Sequence, residues 1–370
     1  MATKETKPGD GAEPSSGGSG RAVAAAAVRS IAPTGLFVFA LFVVLYLGRS
    51  VLIPLALALM LYFLFRPVVR GLRRIGAPTG IAALLVIVGL TGGLGYGASR
   101  LVEPAADWVQ RMPSAMRKVE QKLIRLRQPV QDVSKLADKV EQMAQVDKGK
   151  ATREVVVEKP GLSEAIFDTA REVGGGAVVV LFAFFFMLVW GDKLLERLVA
   201  LTPELGGKEG ASVVLSDVER RMSRYLGTIT IINSMLGVAV GFGLYLCDMP
   251  NPVLWGVVAA VLHFIPYLGG LVGVCLVGLA SLITFKSLGQ ALVPPAIYFG
   301  LTAIEGNFVS PVLLGRTFRL SPLVIFVWLL LWGSLWGLAG AVVAVPTLML
   351  LKIAAEKIPR LGPLAALIEG

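Results

Sequence analysis

The sequence predicts an all-α, polytopic helical membrane protein of about eight membrane segments, two of them broken or re-entrant helical hairpins, with an extracytoplasmic amphipathic helical segment. Three observations carry this prediction. Hydrophobic residues make up 55% of the chain and charged residues only 16%, with a mean hydropathy of +0.74, which sets it apart from soluble domains. Apolar runs recur near the ~17–25 residues that a helix needs to cross about 30 Å of hydrocarbon. The basic residues behind the net charge of +10 lie between those runs and not on one soluble face. That is the positive-inside pattern, and it argues against nucleic acid as a partner.

Residues 1–30, "MATKETKPGDGAEPSSGGSGRAVAAAAVRS", are rich in Gly, Ser, Pro and charge and read as a disordered cytoplasmic tail. They do not read as a signal peptide, because the apolar segment starts late and runs into a second one. Membrane segments 1–3 occupy 31–102 as Ile31–Leu47, Val51–Phe65 and Gly80–Ala98, the second being short. Residues 103–173 form the extracytoplasmic helical region. There Met116, Val119, Leu123, Leu126, Val130 and Val133 recur at three and four, an amphipathic helix with a kink expected at Pro129 and a face that needs a partner. "EVVVE" at 154–158 is a short strand candidate.

Segment 4 is Gly174–Trp190, 191–225 is a cytoplasmic amphipathic linker, and 226–355 holds the remaining membrane segments, including Leu226–Leu246 and Leu288–Ile304. Residues 356–370 read as a cytoplasmic tail. Arg66, Arg70, Arg73 and Arg74 follow the second segment, and Lys193, Arg197, Lys208, Arg220, Arg221 and Arg224 follow the fourth. Both loops therefore face the cytoplasm, with the N-terminus.

Two stretches, 252–284 and 322–351, are each too long for one comfortable crossing and too short for two. The first breaks at "HFIPYLGG" (263–270), the second at "WGSLWG" (332–337), and both open on a capping residue followed by proline, Asn251-Pro252 and Ser321-Pro322. Read as hairpins, they keep Arg316 and Arg319 on the cytoplasmic side; read as single kinked helices, they leave both arginines outside. The charge rule favours hairpins. A helix broken at mid-membrane frees backbone groups that can hold a solute or ion, as in secondary transporters, whereas a plain proline kink only needs its carbonyls met by neighbours.

"FIPYLGG" (264–270), "NFVSPVLLGRTFRLSP" (307–322) and "LWGLAGAVVAVPTLMLLK" (335–352) resemble the signatures of the autoinducer-2 exporter family of bacterial permeases. The resemblance spans about residues 30–355. The family's Gly-Pro is replaced by Gly269-Gly270 in this chain. It implies about eight spans with a soluble segment after the third, and a secondary transporter that exports a small furanosyl signal or a related solute across the bacterial inner membrane. Coupling to protons or sodium, or sodium–proton antiport, belongs to the same expectation; an uncoupled channel and an oligomeric scaffold are the rivals.

Within that expectation, Glu305 is a carboxylate closing an apolar helix and is either a coupling-ion site or a wet interfacial group, with Asn307 beside it. His263, the sole histidine, either carries a proton or bonds carbonyls freed by the break. Tyr267 offers a hydroxyl to a solute or anchors at the interface, and Pro266, Gly269 and Gly270 make the break. Pro311, Gly333, Gly337, Gly340 and Pro346 are further break or hinge candidates. Gly89, Gly93 and Gly97, like Gly333 and Gly337, read as helix-packing glycines, and Trp328, Trp332 and Trp336 share a face that either walls a cavity or, as the preferred reading, meets lipid or another subunit. A homo-oligomer is expected. No phosphate-cradling Gly-rich loop, paired zinc histidines or Gly-x-Ser-x-Gly at a helix start occurs, so no enzyme, cofactor or metal is expected. Cys247 and Cys275 suit packing rather than a disulfide.

Overall fold

The computed structural model describes residues 35–141, 162–200, 207–314, 320–358 and 362–369, with side chains described outside 111–141, 162–173, 198–200 and 207–211. "EVVVE", Arg316 and Arg319, and the side chains of most of the extracytoplasmic stripe lie outside these. Two units are present, Met1–Leu52 and Ile53–Gly370. The first contains α1 (Gly35–Leu47), which exposes Leu36, Phe37 and Phe39.

Helices account for every regular element among the described residues: α2 (Arg49–Arg74), α3 (Thr79–Glu141), α4 (Leu162–Ala200), α5 (Gly207–Tyr245), α6 (Pro252–Leu262), α7 (Leu268–Thr284), α8 (Leu288–Ile304), α9 (Ser310–Leu314), α10 (Pro322–Lys357) and α11 (Gly362–Ile368). Six helices are long and apolar enough to cross a membrane, while α6 and α7 are shorter apolar helices. The segment expected to be short lies in the 26-residue α2. The third segment and the start of the amphipathic region form one 63-residue helix, about 95 Å long. Its helical assignment passes unbroken through Pro129.

α5 and α6 touch backbone to backbone. A Cβ on Gly256 would stand 2.5 Å from the Gly237 carbonyl, and one on Gly237 would stand 2.6 Å from the Gly256 carbonyl. These are the glycines that permit close approach. Gly89, Gly93 and Gly97, expected in that role, meet nothing within 4 Å. Beside the α5–α6 contact lies a core of Leu236, Val240, Leu254, Trp255, Val277, Ala280 and Tyr298. Trp108 of α3 joins it edge-on to Trp255 at 5.3 Å.

Both apolar stretches of about thirty residues fold back on themselves. In the first, Gly269 abuts the Leu262 carbonyl, while Leu254 and Trp255 share a core with Val277 and Ala280, so α6 and α7 are antiparallel. α8 then returns along α7. Its Pro295 supplies no N–H to the Ala291 carbonyl, and the fully buried Ser281 of α7 donates to that oxygen instead, at 2.5 Å.

In the second stretch the helix is interrupted at Gly337, φ 61° and ψ −138°, a conformation that a side chain resists. Trp328 of the first arm donates to Thr347 of the second at 3.1 Å. The expected capping differs: Pro252 and Pro322 do open their helices, but neither Asn251 nor Ser321 makes a side-chain cap bond. Asn251 is left-handed, φ 56°, and a residue before proline avoids the right-handed helical region.

Charged networks gather at one end of α5. Arg66 is 5% exposed and Glu219 likewise; Arg66 donates Nε to Glu219 at 2.6 Å and also pairs with Asp192, which accepts from Tyr62 at 2.6 Å. Asp217 meets Lys357 at 3.3 Å and Arg221 meets Glu356 at 2.8 Å, so the foot of α10 stands at this end. α11 ties the two feet of the α10 hairpin together: Ser321 donates its N–H to the Ile368 carbonyl at 3.0 Å, and Lys352 meets Glu369 at 3.4 Å. The α6–α7 hairpin, by contrast, opens at the Tyr245 end. The two hairpins approach each other from opposite ends of α5.

Candidate functional site

The α6–α7 tip is a three-residue reversal. Leu268 donates its N–H to the Pro266 carbonyl at 2.7 Å across Tyr267, whose φ 61° and ψ −49° make a γ-turn of the rare, strained kind. Proline fixes the entry and the glycine pair lets α7 start against α6. Tyr267 itself is 58% exposed, directed away from the core.

His263 ends α6 with its Nδ1 3.0 Å from the Ala259 carbonyl. A carbonyl only accepts, so Nδ1 carries the proton and Nε2 is left as an acceptor. That Nε2 is buried and has no partner among the described residues. The ring lies 6.1 Å from Tyr298, whose hydroxyl is also buried and unpartnered among the described residues. Gly273 admits that hydroxyl, since any Cβ there would overlap it. Gly270 stands between His263 and Thr302: its Cβ would be 3.7 Å from Nε2 and 3.0 Å from the threonine methyl.

Glu305 follows on the same face, because 298, 302 and 305 are four and three apart. Its carboxylate accepts a hydrogen bond from the Ser310 hydroxyl. The backbone from Glu305 to Val309 is a π turn. Pro311 has no N–H for the Asn307 carbonyl, and widening the turn by one residue accommodates that loss. Glu305 borders a crevice of about 140 Å³ between α5 and α8, otherwise lined by apolar groups such as Ile232, Leu236 and Leu301. Asn307 is elsewhere: it is exposed and donates to its own helix at Ala303, 2.8 Å away.

The tip residue Ile265 packs on Leu329, Ala341 and Ala344, with Trp328, Trp332 and Val342 around them. This is where the hairpins meet. Gly340 sits where any Cβ would strike the Trp332 carbonyl, so it admits the first arm; Gly333 meets nothing within 4 Å and is not the break. Pro346 is buried inside the second arm. Of the two readings of the tryptophan stripe, the inward one holds and the face toward lipid or another subunit does not. Trp332 and Trp336 rings are 4.6 Å apart, and Trp336 is 8% exposed. Cys247 is half-buried and Cys275 exposed, so Cys275 does not serve the core packing expected of it.

Sequence reasoning missed Tyr298, Thr302 and Ser310, although the four-and-three spacing to Glu305 was a usable signal. It read Arg66 as a topology marker and missed the ion network that it anchors.

The AI-2E family transporter profile matches residues 36–360, nearly the whole chain. The chain belongs to the AI-2E transporter family. Among its relatives, the Bacillus subtilis candidate transport protein YrrI is 26% identical over 314 residues, covering 82% of this chain and 86% of that one. A candidate transport protein of Haemophilus influenzae is 24% identical, covering 87% and 91%. The Escherichia coli AI-2 transport protein TqsA is 30% identical over 164 residues, 42% of this chain and 47% of its own. As an AI-2E transporter, this protein is a multi-pass helical membrane protein of a transport family, and its broken helices occur within the matched region.

Proposed function

We propose that this protein is a secondary transporter that moves a small polar solute, of the kind carried by an AI-2 transport protein, through the place where the two hairpins meet. One observation carries the proposal: His263 Nε2 and the Tyr298 hydroxyl are buried without partners among the described residues, side by side and next to the hairpin tip. A bare acceptor and a bare donor buried beside each other are costly unless something visiting them bonds to both. Glu305, on the same helix face as Tyr298 and Thr302 and bordering the crevice between α5 and α8, would couple a proton or sodium to the movement. An intramembrane carboxylate has that role in many carriers.

The orientation follows from the arginines. The ion-paired end lies in the cytoplasm of a bacterial inner membrane, with both termini, and the Tyr245 end faces outward. A homo-oligomer completes this picture by covering the open glycine face of α3. Flux into proteoliposomes under imposed proton or sodium gradients tests the reading. Gradient-driven accumulation supports it; conductance without coupling would mark a channel, counterflow of the two ions an antiporter, and absence of flux a scaffold.

A further inference from the structure

Far from the hairpin tips, a cavity of about 470 Å³ opens between α2 and α5, lined by Pro67, Arg70, Ser216, Arg220, Ser223 and Arg224. Its hydroxyls are committed: Ser223 donates to the Phe63 carbonyl at 2.5 Å and Ser216 to the Val213 carbonyl at 2.8 Å. The free donors are therefore guanidinium N–H groups. Arg70 shares Glu219 with Arg66, and Arg220 shares Asp217 with Arg221 and Lys357, so each acid already has other cations. Arg224 has no acidic partner among the described residues and is exposed. Three cations thus line one cavity: Arg70 and Arg220 are each paired with a carboxylate that other cations share, and Arg224 supplies the guanidinium with no acidic partner among the described residues.

What lies next to the cavity narrows the ligand. At about 100° per residue, Arg220, Ser223, Arg224, Gly227, Ile231 and Val238 fall within one sector of about 100° on α5. Ile231 and Val238 are 59% and 74% exposed, and they stand about 10 and 21 Å beyond Arg224 along the helix. One hydrocarbon leaflet is about 15 Å thick, half of a typical core. The same face therefore offers anion-binding groups at headgroup level and bare apolar surface below it. A free inorganic anion would use only the first of these.

We propose that this face of α2 and α5 is a binding site for an anionic glycerophospholipid, whose phosphate is held by Arg70, Arg220 and Arg224 and whose acyl chain lies along Gly227 and Ile231. Planar guanidinium groups suit phosphate oxygens, and basic pockets between membrane helices favour such headgroups. The site is independent of the transport reading.

Native mass spectrometry of the delipidated protein titrated with phosphatidylglycerol tests it, with phosphatidylcholine and inorganic phosphate as comparison probes. Phosphatidylglycerol should bind stoichiometrically and more tightly than phosphatidylcholine. Arg224→Gln should weaken it about fivefold, and Arg220→Gln with Arg224→Gln about thirtyfold. Arg73→Gln with Arg74→Gln, the same charge loss just beyond the cavity, should leave affinity within about twofold. An equal loss in both pairs would show only diffuse attraction to positive charge and overturn the site. Displacement of the lipid by millimolar phosphate would overturn the lipid reading in favour of a soluble anion. Unchanged helix content by circular dichroism in each variant confirms that folding is not the cause.

Discussion

Trp328 and Thr347 are nineteen residues apart in sequence, yet the indole N–H donates to the threonine hydroxyl at 3.1 Å. A straight helix would hold them about 28 Å apart. The bond therefore joins the two arms of α10 after the reversal at Gly337. Trp328→Phe removes the donor while keeping an aromatic ring, and should lower stability by about 1 kcal/mol. A fall of a few degrees in the unfolding midpoint in detergent checks this; no change would mean that the arms are held by packing alone.

Gly337→Ala acts on the reversal itself. A Cβ meets no neighbour there, but φ 61° with ψ −138° is a backbone region that L residues rarely occupy. The expected cost is about 1–3 kcal/mol, whereas Gly333→Ala, in a helical and open position, should be neutral or slightly stabilising. Midpoints for the two variants should diverge in opposite directions.

Glu305→Gln keeps shape and the Ser310 hydrogen bond but cannot ionise. It should leave expression and unfolding midpoint nearly unchanged while removing the dependence of flux on the proton or sodium gradient, and Glu305→Asp should keep part of it. Unchanged gradient dependence in Glu305→Gln would falsify the coupling role.

Tyr298→Phe tests the paired polar groups beside the tip. Deleting a buried hydroxyl that has no partner among the described residues should not destabilise the fold, because its desolvation cost is relieved. Half-saturation for the solute should rise about tenfold, the value of one lost hydrogen bond in a buried site. Gly273→Val, which drives a side chain into the tyrosine, should cost both stability and flux.

Arg66→Ala would leave Glu219 facing a buried gap with only Arg70 beside it. Removing one partner of a buried pair costs about 3–5 kcal/mol. The double variant Arg66→Met with Glu219→Leu should recover most of that loss in the thermal midpoint, since the buried carboxylate goes with the arginine and the two charges that lose a partner, Asp192 and Arg70, are both partly exposed.

Much of this was legible in the chain. Composition and run length reveal helical spans because a bilayer permits little else, and "HFIPYLGG" and "WGSLWG" locate both reversals to within a few residues. The tryptophan face was read mainly outward, and the α5–α6 contact glycines Gly237 and Gly256 went unmarked, for one reason: periodicity says which residues share a face, not what that face meets. The folding back of α10 converts an apparently outward stripe into the seam between two arms. Tyr298 was overlooked because an aromatic in an apolar helix carries no mark of function until a glycine opposite it, Gly273, leaves its hydroxyl room but no partner among the described residues.

The meeting of Ile265 with Leu329, Ala341 and Ala344 also bears on voltage. If water follows the two hairpins in from opposite faces, the dry barrier between the two aqueous sides shrinks to roughly one layer of side chains where the tips touch. The membrane potential then falls across that layer instead of across the full hydrocarbon thickness, and a charge crossing it gains about 2.3 kcal/mol per 100 mV within a few ångströms. A carrier built in this way responds to membrane potential wherever its solute or coupling ion is charged, with no voltage-sensing helix required.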